Sequence, residues 1–280
     1  MLVVALSLLA AASYGLGDFI GGAASKRTSP WAVALVAQVA GAAAVLVLAL
    51  ALGGDPTGAD LGWAVAAGLF NGLGTAFLYR GLAAGRMGVV APVSGVGAAA
   101  LPVLVGLAAG ERPTALVWVG IAAALPGIWL VSRDPADRGG TPAASGSGLV
   151  DGALAGIGFG ALFACLAQIP EGAGFLPLAL NQVVAGVAIV GVALAFRASW
   201  VPRDAAAGIG AVSGVLAALA TGAFLLATQT GFLTVAAVLT SLYPAVTVVL
   251  AATMLRERVH RSQAWGLVLC LAAVALVAAG

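Results

Sequence analysis

Ten carboxylates occur in this chain, and nine fall in loops or at the ends of apolar runs; Asp18 alone lies well inside one. A charge buried in hydrocarbon costs several kcal/mol, so it must face protein or water and find a partner. Asp18 shares a helical stripe with Ser7 and Tyr14. Two readings follow: a cavity wall with a cation or proton site, or a boundary carboxylate paired with Arg80, Lys26 or Arg27. Asn71, Thr75 and Tyr79 recur every four residues and therefore stack on one helix face. Ser213, Thr221 and Thr228 form a second polar stripe, and Thr240, Tyr243, Pro244 and Thr247 a third. Such stripes either line a cavity or hydrogen-bond between helices. The candidate binding residues are Tyr14, Asp18, Asn71, Thr75, Tyr79, Thr221 and Tyr243. Gln38 and Gln182 read as a structural polar pair at matched depths, one holding each half of the chain together.

The chemistry of catalysis finds little footing. A single histidine, His260, sits in a charged loop and offers neither a triad nor a metal cluster. Gly85-Arg86-Met87-Gly88 lacks the Gly-Lys-Ser/Thr end of a phosphate loop. Cys165 and Cys270 both lie inside apolar runs and read as small packing residues. No catalytic residue, metal or cofactor is expected, and the chain does not read as an enzyme.

The elements that must position these residues follow from composition. Hydrophobic residues make up 62% and charged residues 8%, with mean hydropathy +1.13; a soluble domain carries roughly 25% charge. The twelve basic residues form no clustered face of the kind a nucleic acid needs. An apolar run must reach about 20 helical residues to cross a bilayer. Cutting at charges and turn residues leaves ten runs: 2–22, 31–52, 60–80, 87–109, 114–132, 149–168, 174–195, 206–227, 231–254 and 262–279. The first is read as a span rather than a cleaved leader, because no basic segment precedes it. Without strict alternation the runs are helices, not barrel strands. The expected fold is an all-α membrane protein of ten transmembrane helices. Most of the 40 glycines serve close helix packing, Gly15, Gly22, Gly68, Gly72, Gly156 and Gly160 among them.

The chain also repeats itself. Shifted by 146 residues, Thr75 falls on Thr221, Gly85 on Gly231, Glu111-Arg112 on Glu257-Arg258 and Gly120 on Gly266; Gln38 meets Gln182 at 144. Between the copies lies a Gly-, Pro- and Ser-rich stretch of linker composition. The expected division is a first five-helix repeat over 1–132, a flexible linker over 133–148, and a second repeat over 149–280. Five spans per half, an odd number, insert the second half upside down, an arrangement suited to alternating access.

Two five-helix halves, each closing with a Glu-Arg turn before a glycine-bearing last helix, resemble the EamA family of the drug/metabolite transporter superfamily. The resemblance implies a ten-helix permease of the plasma or inner membrane. Its midplane cavity would be lined mainly by the first, third, fourth, sixth, eighth and ninth helices. The implied cargo is a small metabolite, an amino acid or a cationic drug. Partners are then a small-molecule substrate and membrane lipid, with no nucleic acid, and the chain acts as a monomer or homodimer. The rivals are a non-transporting scaffold, whose midplane would be packed solid, and a translocase of lipid-linked cargo, which needs a side opening to the bilayer.

Orientation follows from charge. Counting spans from the N-terminus, the odd-numbered loops hold eleven of the twelve basic residues, and Arg112 alone lies on the other side. Basic residues in short loops stay cytoplasmic during insertion. Both termini are therefore expected outside, although relatives resembling this chain often place basic termini inside. Alkaline phosphatase fused after Gly280 should be active and a fluorescent protein dark; a bright fusion inverts the topology.

Overall fold

The computed structural model describes residues 1–84, 87–131, 142–254 and 260–280. The Glu257-Arg258 turn, Gly85, Arg86, Arg256 and residues 133–141 of the expected linker lie outside them. The described residues are helical, with no strand. In chain order the helices are α1 (Leu2–Ser25), α2 (Pro30–Leu52), α3 (Gly58–Ala83), α4 (Met87–Ala108), α5 (Ala115–Val131), α6 (Pro142–Leu166), α7 (Leu176–Ala195), α8 (Ala205–Gly208), α9 (Gly210–Thr230), α10 (Leu233–Thr240), α11 (Tyr243–Met254) and α12 (Arg261–Ala279). Among the described residues, seven stretches are long and apolar enough to cross a membrane, α8 and α9 together forming one of them; three shorter apolar stretches accompany these, one of them running from α10 into α11.

Local chemistry sets the boundaries. Ser29 caps α2, whose first residue Pro30 has no N–H to lose. At α3 the Thr57 hydroxyl accepts from the Asp60 N–H while Asp60 Oδ2 accepts from the Thr57 N–H at 2.8 Å, a reciprocal cap. Gly53, at φ 72°, ends α2 in a conformation that other residues resist. Helix α6 begins at Pro142, well before the apolar run at 149, since proline is tolerated in a first turn. The run 231–254 is not one helix. It breaks at Ser241–Leu242, because Pro244 has no N–H for an α-helical bond to residue 240 and its ring crowds that carbonyl.

The two halves interlock by exchange. Helix α1 packs on α9 as α3 packs on α6; α1 packs on α10 and α11 as α6 packs on α4; α2 meets α7 and α5 meets α12. At one end the α1–α2 loop touches the α7–α8 loop: Thr28 donates to Asp204 at 2.7 Å and Ser29 donates to the Ser199 carbonyl. The Thr28 hydroxyl and the Ala207 N–H hold the exposed Asp204 carboxyl below the ordinary carboxylate range, so this latch persists above that range and weakens as pH falls through the lowered value. At the other end Asp55 N–H donates to the Gly172 carbonyl, and Glu111 accepts from the N–H groups of Leu233 (2.6 Å) and Thr234 (3.0 Å). Glu111 thereby caps α10, which is physical work for one member of the repeated Glu-Arg turn.

Small residues carry the helix contacts, since lipid supplies no hydrophobic drive. A Cβ on Gly156 would lie 3.0 Å from Gly97 Cα and 3.1 Å from the Ser94 carbonyl. Gly68 and Gly72 press on α7 in the same way. Gly156→Val should therefore destabilise the protein by about 1–3 kcal/mol in thermal unfolding. Gly62→Val, with open space around it, should stay near the parent. Equal stability for the two variants would refute this packing account.

Candidate functional site

Where the halves cross, the structure encloses a narrow cavity. Tyr14 and Asp18 reach it from α1, Gln38 from α2, Asn71, Thr75 and Tyr79 from α3, Phe159 and Phe163 from α6, Gln182 from α7, Thr221 from α9, and Tyr243 from the α10–α11 break. All seven candidate binding residues, and both glutamines, thus meet in one place. Ser7 does not; its hydroxyl is spent on the Val3 carbonyl of its own helix. Thr228 bonds to the Leu225 carbonyl, and Thr247 to the carbonyls of Gly15 and Tyr243. The cavity leaves about 30 Å³ for water-sized centres, room for roughly two or three waters.

Hydrogen bonds fix most of its wall. Ser213 Oγ donates to the Gly17 carbonyl, so the Tyr79 hydroxyl is the donor in their 2.7 Å bond. By the same logic Thr221, which donates to the Ala217 carbonyl, receives the Tyr14 hydroxyl proton at 2.9 Å. Tyr243 pairs with Ser94 at 2.8 Å. Asn71 Nδ2 donates to Gln182 Oε1 at 3.1 Å, Thr75 donates to Asn71 Oδ1 at 3.3 Å, and Gln38 Nε2 donates to Thr75 at 3.4 Å. Gln38 thus ties α2 to α3 within its own half, whereas Gln182 reaches out of its own. Gln182 joins α7 to α3 across the halves, because the exchange packing puts these helices side by side.

Asp18 stands apart. It makes no hydrogen bond or ion pair among the described residues. Pairing with Arg80 is ruled out by a better partner: Arg80 Nε donates to Asp151 Oδ1 at 2.9 Å, and Nη2 reaches the same oxygen. The Arg80 guanidinium also lies between the rings of Phe77 and Phe196, at 4.6 and 4.5 Å. Sequence reasoning missed Asp151. It stands three residues into the apolar run that starts at 149 and looks like a boundary residue, yet it is fully buried. Aromatic rings complete the cavity wall, Tyr14 lying 6.1 Å from Phe163 and 6.3 Å from Tyr243 between centroids. The arrangement offers one free carboxylate, a belt of carboxamides and hydroxyls, and π faces, the elements that hold a polar or cationic group.

Comparison with known proteins now decides the family. The sequence profile of the EamA-like transporter family matches residues 1–133 and 146–279. The chain belongs to the EamA-like transporter family. EamA proteins are transporters rather than enzymes, and this one is accordingly a multi-pass membrane transporter of the drug/metabolite type in the plasma membrane. The fold is supported by a solved structure titled "Crystal structure of protein", 17% identical, covering 98% of both chains with a TM-score of 0.68. No curated protein matches the sequence.

The ion pair makes a direct test. Asp151→Asn leaves Arg80 between two rings without its counter-charge. Breaking a buried pair costs about 3–5 kcal/mol. Because the Arg80 side chain is 28% exposed, water recovers part of that, and a loss of ~2 kcal/mol in thermal unfolding is expected. An unchanged melting temperature would mean that the pair does not contribute.

Proposed function

We propose that this EamA-like protein is a secondary transporter of a small polar or cationic solute, working by alternating access around the central cavity. Ten spans in two inverted five-helix repeats, 1–132 and 149–280, give the halves their rocking symmetry, the linker of 133–148 joining them. Seven long and three short apolar stretches support that count. The exchange packing of α1 with α9 and of α3 with α6 supports the inversion.

The observation that carries the reading is Asp18: a carboxylate in a cavity between the halves, with no cation beside it among the described residues. Tyr14, Asn71, Thr75, Tyr79, Thr221 and Tyr243 surround the cargo in this reading, and Gln38 and Gln182 join them. A cavity this narrow supports a constricted state, which rocking of the halves widens toward one side at a time. The same cavity speaks against a scaffold, whose midplane would be filled with Ala and Leu.

A thermal-shift screen of purified protein against metabolites sorted by charge tests this. Cationic compounds should dominate the stabilising set, and Asp18→Asn should weaken them at least tenfold, about 1.4 kcal/mol. Stabilisation confined to anions, or untouched by Asp18→Asn, would sink the reading.

A further inference from the structure

A second space adjoins the cavity. Between α2 and α7, on the outer face of the bundle, runs a groove lined by Leu35, Val39, Ala42, Val183, Val187 and Val190, with Gly186 and Trp200. The groove offers about 440 Å³, against about 30 Å³ in the central cavity. Its lips face outward: Val39 is 62% and Val187 68% exposed. In a chain of this hydropathy that face meets bilayer hydrocarbon. Gln38 and Gln182 line both spaces, so two carboxamides form the wall between lipid and the central site.

That wall is incompletely satisfied. Gln38 is 5% exposed, yet its Oε1 has no hydrogen-bond partner among the described residues. A buried acceptor left bare is costly, and a ligand N–H or O–H recovers that cost. An acyl chain carries no donor and leaves this oxygen unsatisfied. A primary amine supplies donors to Gln38 and positive charge to Asp18. Its apolar arm, too large for the central cavity, lies in the groove.

We propose that the α2–α7 groove is a lateral entry for amphipathic amines, which seat the ammonium group at Asp18 and Gln38 and leave the alkyl arm between Val39 and Val187. This rests on the cationic-solute reading of the central site and adds the arm and its route. The groove lies where the second helix of one half meets its counterpart in the other, so rocking of the halves reshapes it directly.

The test uses purified full-length protein in lipid nanodiscs with two probes, butylamine and decylamine. Wild-type protein should be stabilised by both. Val187→Trp and Val39→Trp each place a bulky ring in the groove from an exposed position, so folding is preserved. Both variants should lose the decylamine shift and keep the butylamine shift. A decylamine shift that survives in both variants overturns the proposal. So does a wild-type protein that responds to butylamine alone; the central site then stands without a lateral route. If the variants instead alter how melting depends on the acyl-chain length of the nanodisc lipid, with no amine present, a lipid tail occupies the groove and the proposal falls. If neither amine shifts wild-type protein while screened cations still depend on Asp18, the groove inference fails alone. Failure of the cation reading itself shows separately, as indifference of every hit to Asp18→Asn.

Discussion

The structure turns on Asp18, a carboxylate that no other described residue pairs with or hydrogen-bonds. Asp18 sits among apolar helices where a lone charge is costly, and the polar groups around it are committed elsewhere. The protons of Tyr14 and Tyr79 go to Thr221 and Ser213, and Arg80 goes to Asp151. Had the site served only to join helices, a hydroxyl turned toward Asp18 would have lowered its cost. The wall is held in place by its own hydrogen bonds, and the carboxylate takes no part in them.

Holding that wall falls to the carboxamides and small residues. Lipid does not drive helices together as water does, so the halves must meet through close backbone contact and interhelical hydrogen bonds. Gly156 against Gly97 provides the first, and Asn71 to Gln182 provides the second. Individually such bonds are worth on the order of 0.6–2 kcal/mol. Several such bonds, acting with the glycine contacts, define this arrangement of the halves.

Much of this was legible in the sequence. Apolar length gives the helices, because hydrocarbon leaves the backbone no other partner than itself. Four-residue spacing brings Asn71, Thr75 and Tyr79 to one face, and the repeat puts Thr75 and Thr221 into one cavity from opposite halves. What stayed hidden depends on neighbours that spacing cannot name. Asp151 looks like a boundary residue until Arg80 of another helix is placed beside it. Gln38 bonds within its own half, through Thr75, but Gln182 looks like an internal brace only until the packing of α3 on α7 makes it a neighbour of Asn71. The break in the ninth run announces itself through Pro244, but its consequence, Tyr243 brought to the cavity, needs the packing of α11 on α1.

The two ends of the bundle are built on different physics, and this bears on how the halves can move. At the end where Lys26, Arg80 and Arg197 lie, α3 of the first half is tied to α6 of the second by a charged pair and two aromatic rings. At the opposite end the halves meet through backbone N–H donors, Asp55 to the Gly172 carbonyl and Leu233 and Thr234 to the Glu111 carboxylate. The Arg80–Asp151 pair is partly desolvated and bonded at fixed angles, so it resists gradual stretching: it is made or broken. Glu111 instead belongs to the first half and caps a helix of the second, whose own lower part is detached at Ser241–Leu242. Both α10 and α11 pack on α1, so the short helix is held by its Glu111 cap and by that shared packing. A charged pair flanked by two rings at one end and N–H donors on a carbonyl and a carboxylate at the other thus frame the glycine contacts between them.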